Sequence, residues 1–128
     1  MNITSFEDIE IWQEARGLCK LVFKITSREP FSKDFRFRDQ IRAACGSIMD
    51  NIAEGYGRGG NKEFINFLSI AKGSIDEVRS QVYRAYDFNY ISKEEQDELI
   101  SKTLRISKKS TSFIYYLKKS NRKGPKFD

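Results

Sequence analysis

The sequence predicts an all-α protein built as a four-helix bundle. Apolar residues recur at steps of three and four through four segments of similar length, which is typical of amphipathic helices. Helix-capping or helix-breaking residues separate these segments, and no alternating strand pattern competes with them. The 128 residues suit one domain that can bury a core without a metal or a disulfide.

The first predicted helix runs from Phe6 to about Ser27. Ser5 with Asp8 offers an N-cap and an acid in the first turn, and Pro30 ends the helix region because proline lacks a backbone donor. Its apolar face consists of Ile11, Trp12, Ala15, Leu18, Cys19, Val22 and Ile25. We expect three phenylalanines of the following connection to pack against the bundle: Phe31, Phe35 and Phe37.

The second predicted helix, about Arg36 to Tyr56, carries two stripes, which indicates that it has more than one neighbour. The apolar stripe contains Ile41, Ala44, Cys45, Ile48 and Ile52. The polar stripe contains Gln40, Ser47, Asn51 and Glu54. The segment from Gly55 to Gly60 holds four glycines, which suits a helix end and a tight reversal with positive φ.

Asn61 is the predicted cap of the third helix. The seam of this helix is Phe64, Leu68, Ala71, Ile75, Val78, Val82 and Ala85, and its spacing is that of four-helix bundles. Gly73 interrupts it at a cost of ~1 kcal/mol relative to alanine. We expect another helix to approach closely there, at Gly46 and Ser47, and to compensate for this cost.

Ser92 and Glu95 form a predicted capping box at the start of the fourth helix. Its seam is Leu99, Thr103, Ile106, Ser110, Phe113 and Leu117. Residues 1–119 are therefore predicted to form a single domain. Residues 120–128 lack a periodic apolar face, and we expect them to form a basic, disordered tail.

Composition excludes several classes of chemistry. The chain has no histidine, which rules out histidine triads and the Glu-x-x-His ligands of di-iron bundles. Cys19 and Cys45 have no zinc-ligand spacing and are predicted to be buried, reduced thiols. We expect neither a metal nor a cofactor. No apolar run reaches the ~18 to 20 residues of a membrane span, and the acidic start lacks a secretory signal, so we predict a cytoplasmic protein without a membrane partner.

Positive charge is concentrated at the C-terminal end. Residues 1–100 hold 14 Lys and Arg against 17 Asp and Glu, whereas residues 101–128 hold nine against Asp128 alone. The candidate nucleic-acid-binding residues are Lys102, Arg105, Lys108, Lys109, Lys118, Lys119, Arg122 and Lys123, with Lys126 in the same segment. Tyr115 and Tyr116 add rings that could stack on unpaired bases. An ordinary solvated face with a solubilising tail is the alternative interpretation.

The polar residues of the middle helices allow either an active site or a structural network. Paired acids can perform acid–base catalysis, but no nucleophile, metal-ligand set or P-loop spacing accompanies them, so we predict that the chain is not an enzyme. A hydrogen-bond network that fixes helix register or a subunit interface is favoured, with Arg42 or Arg58 pairing a carboxylate. Its predicted members are Gln40, Arg42, Ser47, Asn51, Glu54, Ser74 and Glu77.

Several motifs together resemble the bacterial family of 23S ribosomal-RNA intervening-sequence proteins. They are Phe6 with Trp12, Gln40-Ile41-Arg42, Ser47-Ile48, Asn51 to Gly55, Arg58, Phe64, Phe67-Leu68, Ile70-Ala71, Gly73-Ser74 and Glu77. The resemblance implies an antiparallel up-and-down four-helix bundle that assembles into a homopentameric ring. It therefore implies the chain itself as a partner, whereas the basic C-terminal segment makes RNA or DNA a candidate partner. The predicted function is non-catalytic, non-specific binding of RNA or DNA by an oligomer through the basic C-terminal helix and tail, with ribosomal intervening-sequence RNA as one candidate; the alternative is a homo-oligomeric scaffold for a partner protein with no nucleic-acid role.

Overall fold

A computed structural model describes residues 2–120, and its secondary structure is helical throughout. The described residues contain no β-strand, which confirms the all-α prediction. Two short 3₁₀ turns, Phe6–Asp8 and Phe31–Lys33, precede the first and second helices. The four helices are α1 (Glu10–Thr26), α2 (Phe35–Gly57), α3 (Asn61–Asp87) and α4 (Lys93–Lys119).

Consecutive helices pack antiparallel, and α4 returns to lie beside α1. Arg42, near the start of α2, donates from Nε to Thr26 Oγ1 at the end of α1 over 2.8 Å. Asn61, at the start of α3, donates from Nδ2 to the carbonyl of Leu117 near the end of α4 over 3.0 Å. The chain therefore forms an up-and-down four-helix bundle.

The predicted seams meet in one core at the centre of the bundle. The largest fully buried side chains come from all four helices and include Leu18, Ile48, Ile52, Phe64, Leu68, Ile75 and Ile106. Burial of each such side chain contributes roughly 1.5 to 3 kcal/mol, so the apolar periodicity accounts for most of the driving force for folding.

The N-terminal boundary differs from the prediction. Ser5 and Asp8 cap a 3₁₀ turn, and α1 begins only at Glu10, because Ile9 has extended backbone. The Asp8 carboxylate accepts hydrogen bonds from Thr4 and Ser5, which lower its pKa. Ile3 and Ile9 are buried, so this segment folds over one end of the bundle.

The predicted cap of α3 was wrong, whereas that of α4 is confirmed. Gly60 occupies the N-cap position of α3, and Asn61 uses its side chain to hold α4 instead. Helix α2 continues through Gly57. Among the described glycines, only Gly59, in the turn that follows, has positive φ, at 97°. In the capping box of α4, Glu95 N donates to Ser92 Oγ over 3.1 Å and Ser92 N donates to Glu95 Oε1 over 2.9 Å.

The predicted close approach occurs at Ser47, whose Oγ lies 2.9 Å from Ser74 Oγ, but it was wrong for Gly46 and Gly73. Beyond its own helical turn, a Cβ added to either glycine would meet no atom of residues 2–120 within 4 Å. The tight contact lies at Gly55, where a Cβ would come 2.6 Å from Phe67 Cβ and 3.1 Å from Phe64 Cδ1. Helices α2 and α3 therefore approach most closely beside the turn that joins them.

Two of the three phenylalanines after Pro30 pack as expected. Phe31 and Phe37 are buried and stack with centroids 5.1 Å apart, and Tyr90 lies 4.9 Å from Phe31. Phe35 is 62% exposed, so its predicted packing was wrong. None of the helices in residues 2–120 has an apolar stretch long enough to cross a membrane.

Candidate nucleic-acid interface

Helix α4 carries a stripe of cationic and aromatic side chains, which we call the α4 stripe. It consists of Arg105, Lys108, Ser112, Tyr115 and Lys119, whose steps of three and four place them along one helical face. All five residues are exposed, Tyr115 to 61%. Lys119 Nζ lies 5.0 Å from the centroid of the Tyr115 ring. The stripe thus combines ammonium groups with an accessible ring.

Two of the predicted cations are neutralised by α1. Lys109 Nζ lies 2.7 Å from Glu10 Oε2 and 2.5 Å from Glu14 Oε2, and Arg105 Nε lies 2.9 Å from Glu14 Oε1. Burial opposes ionisation of Glu14, but hydrogen bonds from Lys109 and Arg105 outweigh it and lower the pKa of this carboxyl. Glu10 and Glu14 raise the pKa of the Lys109 ammonium. The ion pairs therefore join α1 to α4 and reduce the positive charge available to a ligand.

The remaining predicted cations differ in their surroundings. Within residues 2–120, Lys108, Lys118 and Lys119 form no ion pair with a carboxylate. Lys102 Nζ lies 3.9 Å from Glu98 Oε2, on the helix's own surface. Arg122, Lys123 and Lys126, together with the predicted tail, lie outside the described residues.

A groove lies between the N-terminal segment and α4, and we call it the α1–α4 groove. Helix α1 has 17 residues and α4 has 27, so at about 1.5 Å per residue α4 is longer by roughly 15 Å. Because α1 starts beside Lys109, the last turns of α4 extend beyond it, and on this side of α4 residues 3–9 lie where α1 would otherwise continue. The resulting cavity has a volume of about 840 Å³ and is lined by Ile3, Asp8, Ile9, Glu10, Ile11, Arg105, Lys108, Lys109, Ser112, Phe113 and Tyr116.

Three members of the predicted polar network are joined between α2 and α3. Ser47 Oγ and Ser74 Oγ lie 2.9 Å apart. Asn51 Nδ2 donates to the Ser47 carbonyl over 2.8 Å and to Ser47 Oγ over 3.0 Å. Ser74 is buried, and the hydrogen bond with Ser47 gives its hydroxyl a partner at the helix interface.

The other four members form no hydrogen bond with this cluster among residues 2–120, although Gln40 and Glu77 line a cleft with Ser47. Glu54 accepts from Arg58 over 2.7 Å, as the sequence suggested for that arginine, but both side chains are about half exposed. Within residues 2–120, Arg42 pairs with no carboxylate; it donates to the hydroxyls of Thr26 and Ser27. Glu77 and Gln40 are both exposed, and only a long 3.5 Å contact joins Glu77 Oε2 to Gln81 Nε2.

Gln81 was missed by the sequence analysis. It is only 4% exposed, and its Oε1 has no hydrogen-bond partner in the described part of the chain. It lines a cleft of about 600 Å³ between α2 and α3 with Gln40, Ala43, Ala44, Ser47, Glu77, Ser80 and Arg84. The signal was present, since Gln81 lies seven residues after Ser74 and so falls on the same helical face. Glu10 and Glu14 were likewise missed, although their spacing of four residues aligns them on α1.

Cys19 and Cys45 lie on different helices but contact each other. Both are free thiols, and they share a hydrogen bond. That bond and burial raise the pKa of Cys45, while the bond lowers the pKa of Cys19. Within residues 2–120, no group of three or more His, Cys, Asp or Glu side chains is placed to hold a metal ion.

Comparisons with known proteins relate the chain to one family. A family model described as "23S rRNA-intervening sequence protein" matches residues 7–112, which is most of the chain. The structure is similar to the crystal structure of a protein of unknown function from the S23 ribosomal protein family of Bacteroides thetaiotaomicron VPI-5482. The TM-score is 0.74 at 23% identity, over 81% of this chain and 97% of the other, so the likeness shows a shared fold. No curated protein matches the chain.

Proposed function

The chain belongs to the family of 23S rRNA-intervening sequence proteins, and on that premise we propose that it is a non-catalytic, homo-oligomeric protein that binds RNA or DNA through the α4 stripe. The stripe is the observation that carries the proposal. From Arg105 to Lys119 it extends roughly 21 Å, a length that several phosphates of an extended strand would occupy. Ribosomal intervening-sequence RNA is one candidate ligand.

The chemistry of the stripe favours binding without sequence specificity. Lysine ammonium groups contact phosphates as point charges, and a phosphate contact carries no base information. Lys108 and Lys119 lie on the stripe, Lys118 adjoins it, and none of them is paired with a carboxylate in residues 2–120. Each phosphate that they neutralise should lower log K by about 0.7 per tenfold rise in salt for a single strand.

An oligomer would multiply the number of phosphate contacts that these lysines make. We propose self-association, as the homopentamer that the family resemblance implies, through the face formed by α2 and α3. Within residues 2–120, a Cβ at Gly73 of α3 would meet no neighbouring atom within 4 Å, and the buried Gln81 Oε1 has no hydrogen-bond partner in the cleft between α2 and α3. A helix of a second copy would supply both the close contact and the hydrogen bond. Several copies of the α4 stripe on one particle would then raise affinity through multivalency.

The two free thiols support a cytoplasmic location, and the positions of Glu54 and Glu77 support a protein that is not an enzyme. Cys19 and Cys45 are neighbouring free thiols, and the reducing cytoplasm would keep such a pair from forming a disulfide. Glu54 is paired with Arg58 on the surface, and Glu77 is exposed and contacts Gln81 Nε2 over 3.5 Å. A structural role for these carboxylates is therefore the simpler assignment.

Fluorescence anisotropy with a labelled single-stranded RNA of about 12 nucleotides tests the binding proposal. The double variant Lys108→Gln/Lys119→Gln should bind at least about tenfold more weakly than the parent, because two phosphate contacts are lost. Lys20→Gln/Lys33→Gln removes the same charge from exposed positions away from α4 and should bind like the parent. Equal affinities for the two variants, or an affinity that does not change with salt, would refute the proposal.

Analytical ultracentrifugation tests the assembly. The parent should sediment as a species near five times the 14.9 kDa chain mass, and Gly73→Leu should dissociate it. Gly17→Leu, another exposed helical glycine with no neighbour within 4 Å, is the matched control and should leave the mass unchanged.

A scaffold for a partner protein is the second candidate function, and the cleft beside Gln81 favours it. It would replace the first if the parent protein is an intact oligomer that binds neither RNA nor DNA at low salt.

A further inference from the structure

We propose that the α1–α4 groove holds an unpaired nucleobase, so that the protein prefers single-stranded nucleic acid to duplex. The inference rests on the proposed function and narrows its ligand. Bases of a duplex stack on one another and present only their edges in the grooves, whereas an unpaired base can turn outward and stack on a side chain. A site of this kind needs space, a flat ring surface and a cation for the adjoining phosphate.

The groove provides the space. Its volume of about 840 Å³ lies within the range of roughly 300 to 1,000 Å³ that is usual for small-ligand sites. Ile3, Ile9 and Ile11 form the apolar part of its wall, and all three are buried beneath it. The groove follows from the difference in helix length, since no helix covers the end of α4 on this side.

The groove also provides a ring surface. Phe113 and Tyr116 line it with their rings nearly parallel, at 20° and with centroids 6.3 Å apart. The Phe113 ring packs edge-on against Phe64 at 5.4 Å, and Phe64 is fully buried, so the position of Phe113 is fixed by the core. Tyr116 remains 49% exposed and so leaves ring surface open to a ligand.

The groove contains one cation that has no carboxylate partner among the described residues. Asp8 and Glu10 also line it; Glu10 is paired with Lys109, whereas Asp8 accepts hydrogen bonds from Thr4 and Ser5 and keeps its negative charge. Glu14 similarly holds Arg105. Lys108 is the groove cation that no carboxylate within residues 2–120 neutralises. A base between the helices would place its own phosphate near this ammonium group.

The test compares the protein's binding to one nucleic-acid strand in its single-stranded and duplex forms. A strand of about 12 nucleotides with a central 2-aminopurine is titrated alone and after annealing to its complement. The single strand should bind at least about tenfold more tightly than the duplex, and its 2-aminopurine fluorescence should be quenched by stacking on the tyrosine ring. Ser112→Trp fills the groove with an indole, and it should abolish the quenching and weaken binding of the single strand roughly tenfold.

Ser101→Trp is the matched control, because Ser101 is also an exposed serine of α4 but lines a different depression beside α3. It should leave binding and quenching unchanged. Equal binding of strand and duplex, or equal behaviour of the two tryptophan variants, would overturn the inference and assign the groove to another occupant, such as a protein segment. If those results came with salt-dependent binding that Lys108→Gln/Lys119→Gln still weakened, the proposed function would stand without the base site. Absence of all nucleic-acid binding would remove both.

Discussion

Gly55 is the residue at which the helix hairpin tolerates least change. Replacing it with alanine would place a Cβ 2.6 Å from Phe67 Cβ, which is backbone-anchored and cannot rotate away. We expect Gly55→Ala to lower the free energy of unfolding by about 1 to 3 kcal/mol, because α2 and α3 must separate to accept the methyl group. Urea unfolding followed by circular dichroism measures the change.

Gly17 provides the control for this prediction. It is an exposed glycine inside α1, and a Cβ there meets no atom within 4 Å. Gly17→Ala should therefore stabilise the protein by up to about 1 kcal/mol through helix propensity alone. A stabilising Gly55→Ala would contradict the close approach of the two helices.

Glu95 is the residue that most clearly links stability to pH. It accepts from Arg28 Nη1 over 2.6 Å and from Nη2 over 2.9 Å while it also caps α4. The Arg28 guanidinium, assisted by Ser92, lowers the pKa of this carboxyl from 4.5 to about 2. Since the folded state holds the carboxylate ionised, its contribution is present above pH 4.5 and is lost as the pH falls towards 2.

The variant Glu95→Gln should therefore unfold about 1 to 2 kcal/mol more easily than the parent at pH 7, after allowance for solvent screening. The difference should shrink between pH 4.5 and pH 2. Glu94→Gln removes a neighbouring exposed carboxylate from the first turn of α4 and should cost no more than about 0.5 kcal/mol. Chemical denaturation at a series of pH values measures both, and a difference that is constant down to pH 2 would contradict the assignment.

At the scale of the helices, the sequence predicted features that depend on local spacing better than features that depend on tertiary contacts. The seam from Phe64 to Ala85 and the capping box at Ser92 depend on neighbours within one helix, and the sequence revealed both. The side chain of Asn61 bonds instead to a residue 56 positions away, so its local spacing suggested the wrong role. The extended backbone of Ile9 ends the 3₁₀ turn before α1 begins, and the polar pattern at Ser5 and Asp8 did not reveal this break.

The pairing of α1 with α4 decides how much charge α4 offers to a ligand. In Glu14→Gln, Arg105 loses its carboxylate partner and Lys109 loses one of two. We expect this variant to bind single-stranded RNA several-fold more tightly than the parent and to steepen the slope of log K against log salt by about 0.7, one additional phosphate contact. Anisotropy titrations from about 50 to 300 mM salt measure the slope. Unchanged affinity would show that Arg105 and Lys109 do not face the ligand.

At the scale of the whole molecule, the sequence predicted where cations of the candidate site lie but not which of them are paired with carboxylates. The positions of Arg105 and Lys109 on an exposed helix follow from the seam of α4. Their partners Glu10 and Glu14 lie more than 90 residues earlier, and only the closure of the bundle brings them together. The sequence could not predict the groove either, because the groove results from a difference in length between two helices that pack as neighbours only after folding.

The uneven packing of the bundle has a consequence for its motion. Helices α2 and α3 interlock at Gly55 and share the Ser47–Ser74 bond, whereas the start of α1 borders the groove and is joined to α4 through ion pairs. Backbone amides of α2 and α3 should therefore exchange with deuterium only on global unfolding, while those of α1 exchange earlier through local opening. Mass spectrometry of peptic fragments would show this order, and it would identify α1 as the helix whose departure uncovers Arg105 and Lys109.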